Sequence, residues 1–221
     1  MDFFERQASP LAGHIDEDHK TITFTERLRI NFAWFLKPSA VFFDRIGVQP
    51  NMLTVAGLVG TAIGSWFVAR GMFAWGGFLM LLMGPIDALD GALARLKGEP
   101  ENFGAFVDSV TDRYSELVIY GGLLWYSLGH WAPEWSLVVF LAAFGSVLVS
   151  YTRARAQSLG MDAKVGWFSR VERFLILGPS LLFNIPMIGV ALVAIGSNLT
   201  ALQRIGHVRA QAHQRRTQAN G

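Results

Sequence analysis

Four aspartates, Asp87, Asp90, Asp108 and Asp112, fall in or beside two apolar runs, "FAWGGFLMLLMGPIDALDGALA" and "FGAFVDSVTDRYSELVIYGGLLWYSL". An aspartate at the centre of a membrane helix costs about 2.5–3.5 kcal/mol on insertion scales, so four buried without partners would cost on the order of 10 kcal/mol. At helical periodicity Asp87, Asp90, Gly91 and Ala94 share one face. Gly104, Asp108 and Asp112, spaced by four, share another. A short polar loop, "LKGEPEN", joins the two helices and makes them neighbours. Four like charges facing one another need a counter-charge. Arg95 is one candidate, but a single arginine cannot neutralise four carboxylates. Divalent cations can, because hard ions such as Mg²⁺ take oxygen ligands and bind through a few carboxylates together with substrate phosphates. Four convergent aspartates could hold two divalent cations, Mg²⁺ or Mn²⁺, the arrangement that clamps a phosphoryl group during displacement. The small residues Gly91, Ala94 and Gly104 would leave room beside the ions for a bulky substrate. Two other readings of the spacing stay open: partly protonated carboxylates used in helix packing, and a pathway for cations or protons.

The elements that must position these residues are legible from composition. Of 221 residues, 52% are hydrophobic and 16% charged, against about 25% charged in soluble domains, and mean hydropathy is +0.33. The apolar residues come in blocks near the ~20 residues needed to cross a bilayer as a helix. Six blocks are expected as spans: 52–69, 72–94, 104–128, 135–152, 171–184 and 186–203, the fifth short and polar at its start. With the N-terminus in the cytoplasm, outer loops fall near 70–72, 128–134 and 184–186, and of 19 Lys and Arg residues only Arg70 lies outside. That asymmetry obeys the positive-inside rule. The expected fold is all-α: a polytopic protein of the cell membrane with six transmembrane helices, both termini cytoplasmic, and the aspartates one to two turns below the cytoplasmic surface.

Four regions follow along the chain. Residues 1–23 are polar and do not resemble a cleaved signal peptide. Residues 24–47 mix aromatics, Leu and Ile with Arg27, Arg29, Lys37 and Arg45, as an amphipathic helix lying in the interface does. Pro38 should divide it into two pieces. Residues 48–206 form the six-helix catalytic domain, entered through "QPNMLT", with Pro50 in a turn and Asn51 as helix cap. Gly57, Gly60 and Gly64 in the first span suit close helix packing. Residues 207–221 form a basic cytoplasmic tail, too short and mixed to argue for nucleic acid as a partner. There is no cysteine, and the five histidines are scattered.

Read as a pattern, the acidic stretch is Asp87-x2-Asp90-Gly91-x2-Ala94-Arg95-x8-Gly104-x3-Asp108-x3-Asp112. It resembles the signature of the CDP-alcohol phosphatidyltransferases, with all eight fixed positions filled. The resemblance implies transfer of a phosphatidyl group from CDP-diacylglycerol to an alcohol, with release of CMP. It also implies two divalent ions on Asp87, Asp90, Asp108 and Asp112, with Asp112 as general base on the acceptor hydroxyl. Gly91, Ala94, Arg95 and Gly104 would shape the CDP site, with Asn51 and Thr54 at its border. A homodimer is implied as well.

The acceptor is indicated by "SYTRARAQSLGMDAKVGWFSRVERFLI", 150–176. Arg153 and Arg155 close the fourth span, Arg170 and Arg173 open the fifth, and Lys164 lies between. Guanidinium groups pair bidentately with phosphate, although basic residues at cytoplasmic ends are also what topology alone demands. "YTRARA" followed by "SRVER" is similar to the branch that makes phosphatidylinositol phosphate from inositol 1-phosphate. Ser169 stands where that branch more often has Glu. By this resemblance Arg153, Arg155 and Arg173 would hold the acceptor phosphate, and glycerol 3-phosphate is the alternative acceptor. From another class, the competing reading is a cation or proton transporter using the same aspartates. It would need polar residues continuing to the far side, whereas here they gather at one end, Glu116 being the main exception.

Overall fold

The computed structural model describes residues 36, 38–97 and 101–219. Residues 1–23 and most of the expected interfacial helix, including the residues leading into Pro38, lie outside the described residues. Within them, residues 38–45 are helical and turn at Gly47 into the first long helix. Six helices follow: α1 Pro50–Ala69, α2 Phe73–Lys97, α3 Glu101–His130, α4 Pro133–Ser158, α5 Arg170–Leu182 and α6 Pro186–Ala219. No strand occurs among the described residues.

Proline sets three of the helix starts. Pro50, Pro133 and Pro186 each occupy the first helical position, where the missing N–H would have no intrahelical partner and the fixed φ already suits the helix. The expected cap at Asn51 is therefore corrected. Gln49 is the N-cap and makes no side-chain cap hydrogen bond, while Asn51 lies one residue inside the helix. The first connection turns at Gly71, whose φ of +77° is a left-handed conformation that costs glycine little.

Four helices, α1, α2, α4 and α6, are long and apolar enough to cross a membrane. The other two expected spans differ for separate reasons. Helix α3 has 30 residues, but Asp108, Asp112 and Arg113 in its first half and Glu116 at its middle interrupt the apolar run. Helix α5 has 13 residues, about 20 Å at 1.5 Å per residue, shorter than the ~30 Å hydrocarbon core. Helix α6 overshoots instead: its 34 residues span about 51 Å and carry it through residues 207–219, the region expected as a tail.

The outer faces are apolar. Val55, Val59, Ile63 and Trp66 on α1 and Ile188, Leu192, Ile195 and Leu199 on α6 are exposed at helical spacing, as lipid contact requires. The interior combines Val68, Ile119, Leu123, Leu177, Leu181, Val190 and Val193 with small residues at helix crossings. A Cβ on Gly122 would come within 2.5 Å of the Ser65 carbonyl of α1, and one on Gly77 would strike the backbone of Leu182 in α5. Lipid supplies no hydrophobic drive between helices, so such close approach is a main source of association. Gly60 and Gly64 pack in this way against α2. Gly57 does not: among the described residues nothing lies within 4 Å of the place of its Cβ, and it borders a cavity. Helix α1 packs on α2 and α3, and α4 packs on α6. The contacts α2–α5 and α3–α4 join these groups.

Candidate active site

Helix geometry brings the aspartates together near the end of α2 and the start of α3. One carboxylate oxygen from each of Asp87, Asp90 and Asp108 lies within 4.8 Å of the others. Asp90 is buried and accepts a 2.5 Å hydrogen bond from the Thr54 hydroxyl of α1, while Asp87 and Asp108 are half-buried. Two oxygens on opposite sides of one Mg²⁺ stand about 4.2 Å apart. The three carboxylates are therefore a small side-chain rotation from shared coordination, and an all-oxygen donor set suits a hard cation.

Asp112 stands beside this group and faces a different partner. Its Oδ1 lies 2.7 Å from Nη2 of Arg170, whose Nη1 lies 2.9 Å from Oδ2 of Asp87. The guanidinium of the first residue of α5 thus bridges α2 and α3. Arg113 approaches the other Asp112 oxygen at 3.5 Å. Arg170 and Arg113 thus supply positive charge to Asp112, and Arg95 is exposed near the end of α2.

One turn along α5, Arg173 is 1% exposed. It donates from Nε and Nη2 to the two Glu116 oxygens, each at 2.9 Å, and from Nη1 to the Phe168 carbonyl at 3.2 Å. Glu116, without a partner in the sequence, is thereby explained as half of a bidentate buried pair. Between the two arginines and the aspartates lies a cavity of about 60 Å³, lined on its polar side by Asp87, Asp112, Glu116, Tyr120, Arg170 and Arg173. That is room for several waters. Its floor includes Ile119 and Leu177, which belong to the apolar core with Leu123, Leu181 and Val193.

The remaining expected residues spread around this centre. Gly91 and Gly104 leave open space: among the described residues nothing lies within 4 Å of a Cβ at Gly104, and only Arg95 Nη1, at 3.5 Å, near one at Gly91. Ala94 is half-buried and Asn51 exposed. Arg153 and Arg155 are exposed on the end of α4, where Arg155 donates to the Ser158 hydroxyl at 3.3 Å. They are not brought into contact with Arg173.

Sequence reading missed how the arginines of α5 are held. The N-cap of α5 is Ser169, and its hydroxyl donates to Glu172 three residues on. Serine with glutamate at this spacing is a helix-start signature, but here the two side chains bond to each other and Ser169 makes no side-chain capping hydrogen bond. The loop before α5 is fastened to α6. The Phe168 amide donates to the Thr200 hydroxyl at 3.1 Å, and Arg204 donates from Nε to the Val165 carbonyl at 3.0 Å and from Nη1 to the Val149 carbonyl of α4. Gln211 exchanges two hydrogen bonds with the Asp162 backbone. Thr200, Arg204 and Gln211 repeat at four and seven on one helix face, a weak signal that a lone sequence does show.

Comparison with known proteins agrees with the geometry. The family model for CDP-alcohol phosphatidyltransferase matches residues 48–202. A phosphatidylinositol phosphate synthase from Streptomyces avermitilis is 37% identical over 203 residues, covering 83% of this chain and 82% of the relative. An archaetidylinositol phosphate synthase from Pyrococcus horikoshii is 38% identical over 161 residues, 72% of this chain and 83% of the relative. The crystal structure of the Mycobacterium tuberculosis phosphatidylinositol phosphate synthase with CDP-DAG bound superposes with a TM-score of 0.73 at 27% identity, covering 78% of this chain and 92% of that one. The same protein with manganese and citrate gives 0.74. With an acidic signature, a helical bundle and a family match over most of its length all in agreement, the chain belongs to the CDP-alcohol phosphatidyltransferase family.

Proposed function

We propose that this membrane enzyme transfers the phosphatidyl group of CDP-diacylglycerol to inositol 1-phosphate, giving phosphatidylinositol phosphate and CMP. The observation that carries the reaction is the convergence of Asp87, Asp90 and Asp108 within 4.8 Å in a chain of this family. The two relatives named for inositol phosphate products, each more than 35% identical, support the acceptor. Asp87, Asp90, Asp108 and Asp112 hold two divalent cations, Mg²⁺ or Mn²⁺. When bound, these supply positive charge to the pyrophosphate oxygens as negative charge builds there.

The chain's own residues do the rest. Thr54 orients Asp90 through their hydrogen bond. Gly91, Ala94 and Gly104 keep the surface beside the carboxylates low enough for the nucleotide, with Arg95 and Asn51 at its edge. The acceptor hydroxyl oxygen attacks the phosphorus that carries diacylglycerol, the pyrophosphate P–O bond breaks, and CMP leaves with the bonding pair. Asp112 takes the hydroxyl proton, a role open to a carboxylate within reach of the bound acceptor. Arg153 and Arg155 attract the acceptor phosphate at the end of α4. Arg173, immobilised by Glu116, adds positive charge from the cavity wall, and Arg170 stands at the cavity edge. The apolar floor keeps bulk water from the deep side of the site.

The same proposal places all six helices in the cell membrane as spans, with α5 the shortest. The termini and site face the cytoplasm, and a second copy of the chain completes a homodimer. The test is a CMP-release assay with CDP-diacylglycerol and a panel of acceptors. Turnover with inositol 1-phosphate is expected. Turnover with glycerol 3-phosphate alone would reassign the acceptor, and no CMP release with any alcohol would overturn the activity.

A further inference from the structure

Arg170 and Arg173 sit one turn apart on α5 and are held in opposite ways. Arg173 is enclosed, and its nitrogens are committed to Glu116 and the Phe168 carbonyl. The Arg170 side chain is 38% exposed at the helix start, and its contacts go to Asp87 and Asp112. These are two of the carboxylates assigned above to the metal ions. One guanidinium therefore supplies the positive charge that those carboxylates otherwise receive from divalent cations.

We propose that Arg170 is an exchangeable counter-ion: it clamps Asp87 to Asp112 while the carboxylates hold no metal, and is handed to the acceptor phosphate once they do. This rests on the function proposed above. The physical reason is competition. Asp87 and Asp112 cannot give their full charge both to a guanidinium and to divalent ions, and like charges packed together repel. Arg170 leaves the carboxylates toward the open side, where its side chain already meets solvent. It carries a planar fork of donors suited to phosphate oxygens. The backbone need not move, because Thr200 holds the Phe168 amide just before the helix and Glu116 holds Arg173 one turn into it. Arg173 is locked and cannot make the exchange. The clamp also prevents two carboxylates of adjacent helices from facing each other without a cation.

Handover makes metal and phosphate binding cooperative, and the coupling is reciprocal. Each ligand removes Arg170 from the state that competes with the other. The test uses the full chain in detergent or nanodiscs and reads Mn²⁺ affinity by electron paramagnetic resonance. Titrations are run without anion, with inositol 1-phosphate and with glycerol 3-phosphate. In the unaltered chain the fitting anion is expected to tighten Mn²⁺ by roughly 10-fold, within the usual range of coupling between sites. Arg170→Lys keeps the charge but cannot bridge both carboxylates. It should bind Mn²⁺ severalfold more tightly without anion and lose most of the coupling. Arg170→Gln should do the same more strongly, and the Lys variant carries the test if the Gln variant does not fold.

Wild-type Mn²⁺ affinity without anion in Arg170→Lys, or coupling undiminished in it, would overturn the proposal. A gain in Arg170→Gln with none in Arg170→Lys also would, since it would show only a distant charge effect. Coupling by glycerol 3-phosphate and not by inositol 1-phosphate supports the handover while overturning the acceptor assigned above, so the two failures are distinguishable.

Discussion

The two halves of the molecule place their charges by different means. In α1–α3 the acidic residues are aligned by local geometry: intervals of three and four put them on single helix faces, and α1, which packs on both α2 and α3, holds those two faces near each other in place of the direct packing that the short loop suggested. In α4–α6 the basic residues depend on contacts between distant parts of the chain. Arg173 needs Glu116 from α3, and the loop that delivers Arg170 needs Thr200, Arg204 and Gln211 from α6. The acidic half is thus a pattern, and the basic half is an assembly. Substitutions in the first should remove chemistry from a folded protein, whereas those in the second should act through folding and positioning.

The largest expected effect tests the acidic half. Asp112→Asn keeps shape and loses the proton acceptor, so turnover should fall by about 100-fold or more, with a helical circular-dichroism spectrum unchanged. Near-normal CMP release would remove Asp112 as base. Stripping divalent ions with a chelator should likewise silence CMP release, with recovery on adding Mg²⁺ or Mn²⁺ back.

A second test breaks the basic half at its buried pair. Glu116→Gln leaves Arg173 without its counter-charge and should cost about 3–5 kcal/mol of stability, the usual penalty for opening a buried ion pair. Unfolding in detergent reads it. Arg173→Met combined with Glu116→Leu should recover most of that loss. Acceptor use should remain poor, because the positive charge on the cavity wall is gone. Full activity in the double variant would show that Arg173 serves packing alone.

The loop fastening should give a smaller effect. Thr200→Val removes the acceptor of the Phe168 amide and Arg204→Gln loosens the clamp on Val165. Each should raise KM for the acceptor by about 5-fold, the equivalent of roughly 1 kcal/mol or one hydrogen bond, with KM for CDP-diacylglycerol unchanged. Equal changes in both constants would mean general loosening of the bundle. The smallest change is expected at Asn51→Ala: an exposed residue at the edge of the proposed nucleotide site should alter KM for CDP-diacylglycerol by less than about 3-fold, roughly 0.6 kcal/mol.

The sequence by itself settled the helical class, the apolar blocks and the gathering of carboxylates, because these depend on periodicity and on intervals a helix converts directly into direction. Asp87, Asp90 and Asp108 could be placed together without a coordinate. Blocks 171–184 and 104–128 are the helices α5 and α3, but among the described residues only α1, α2, α4 and α6 are long and apolar enough by themselves to cross a membrane. Tertiary structure alone decided which cation meets which anion. Arg170 faces Asp87 and Asp112, Glu116 finds Arg173, and Arg204 finds two backbone carbonyls. Pairing across helices depends on how the helices cross and rotate, and small residues such as Gly77 and Gly122 set that crossing by letting backbones touch. No interval along the chain encodes it.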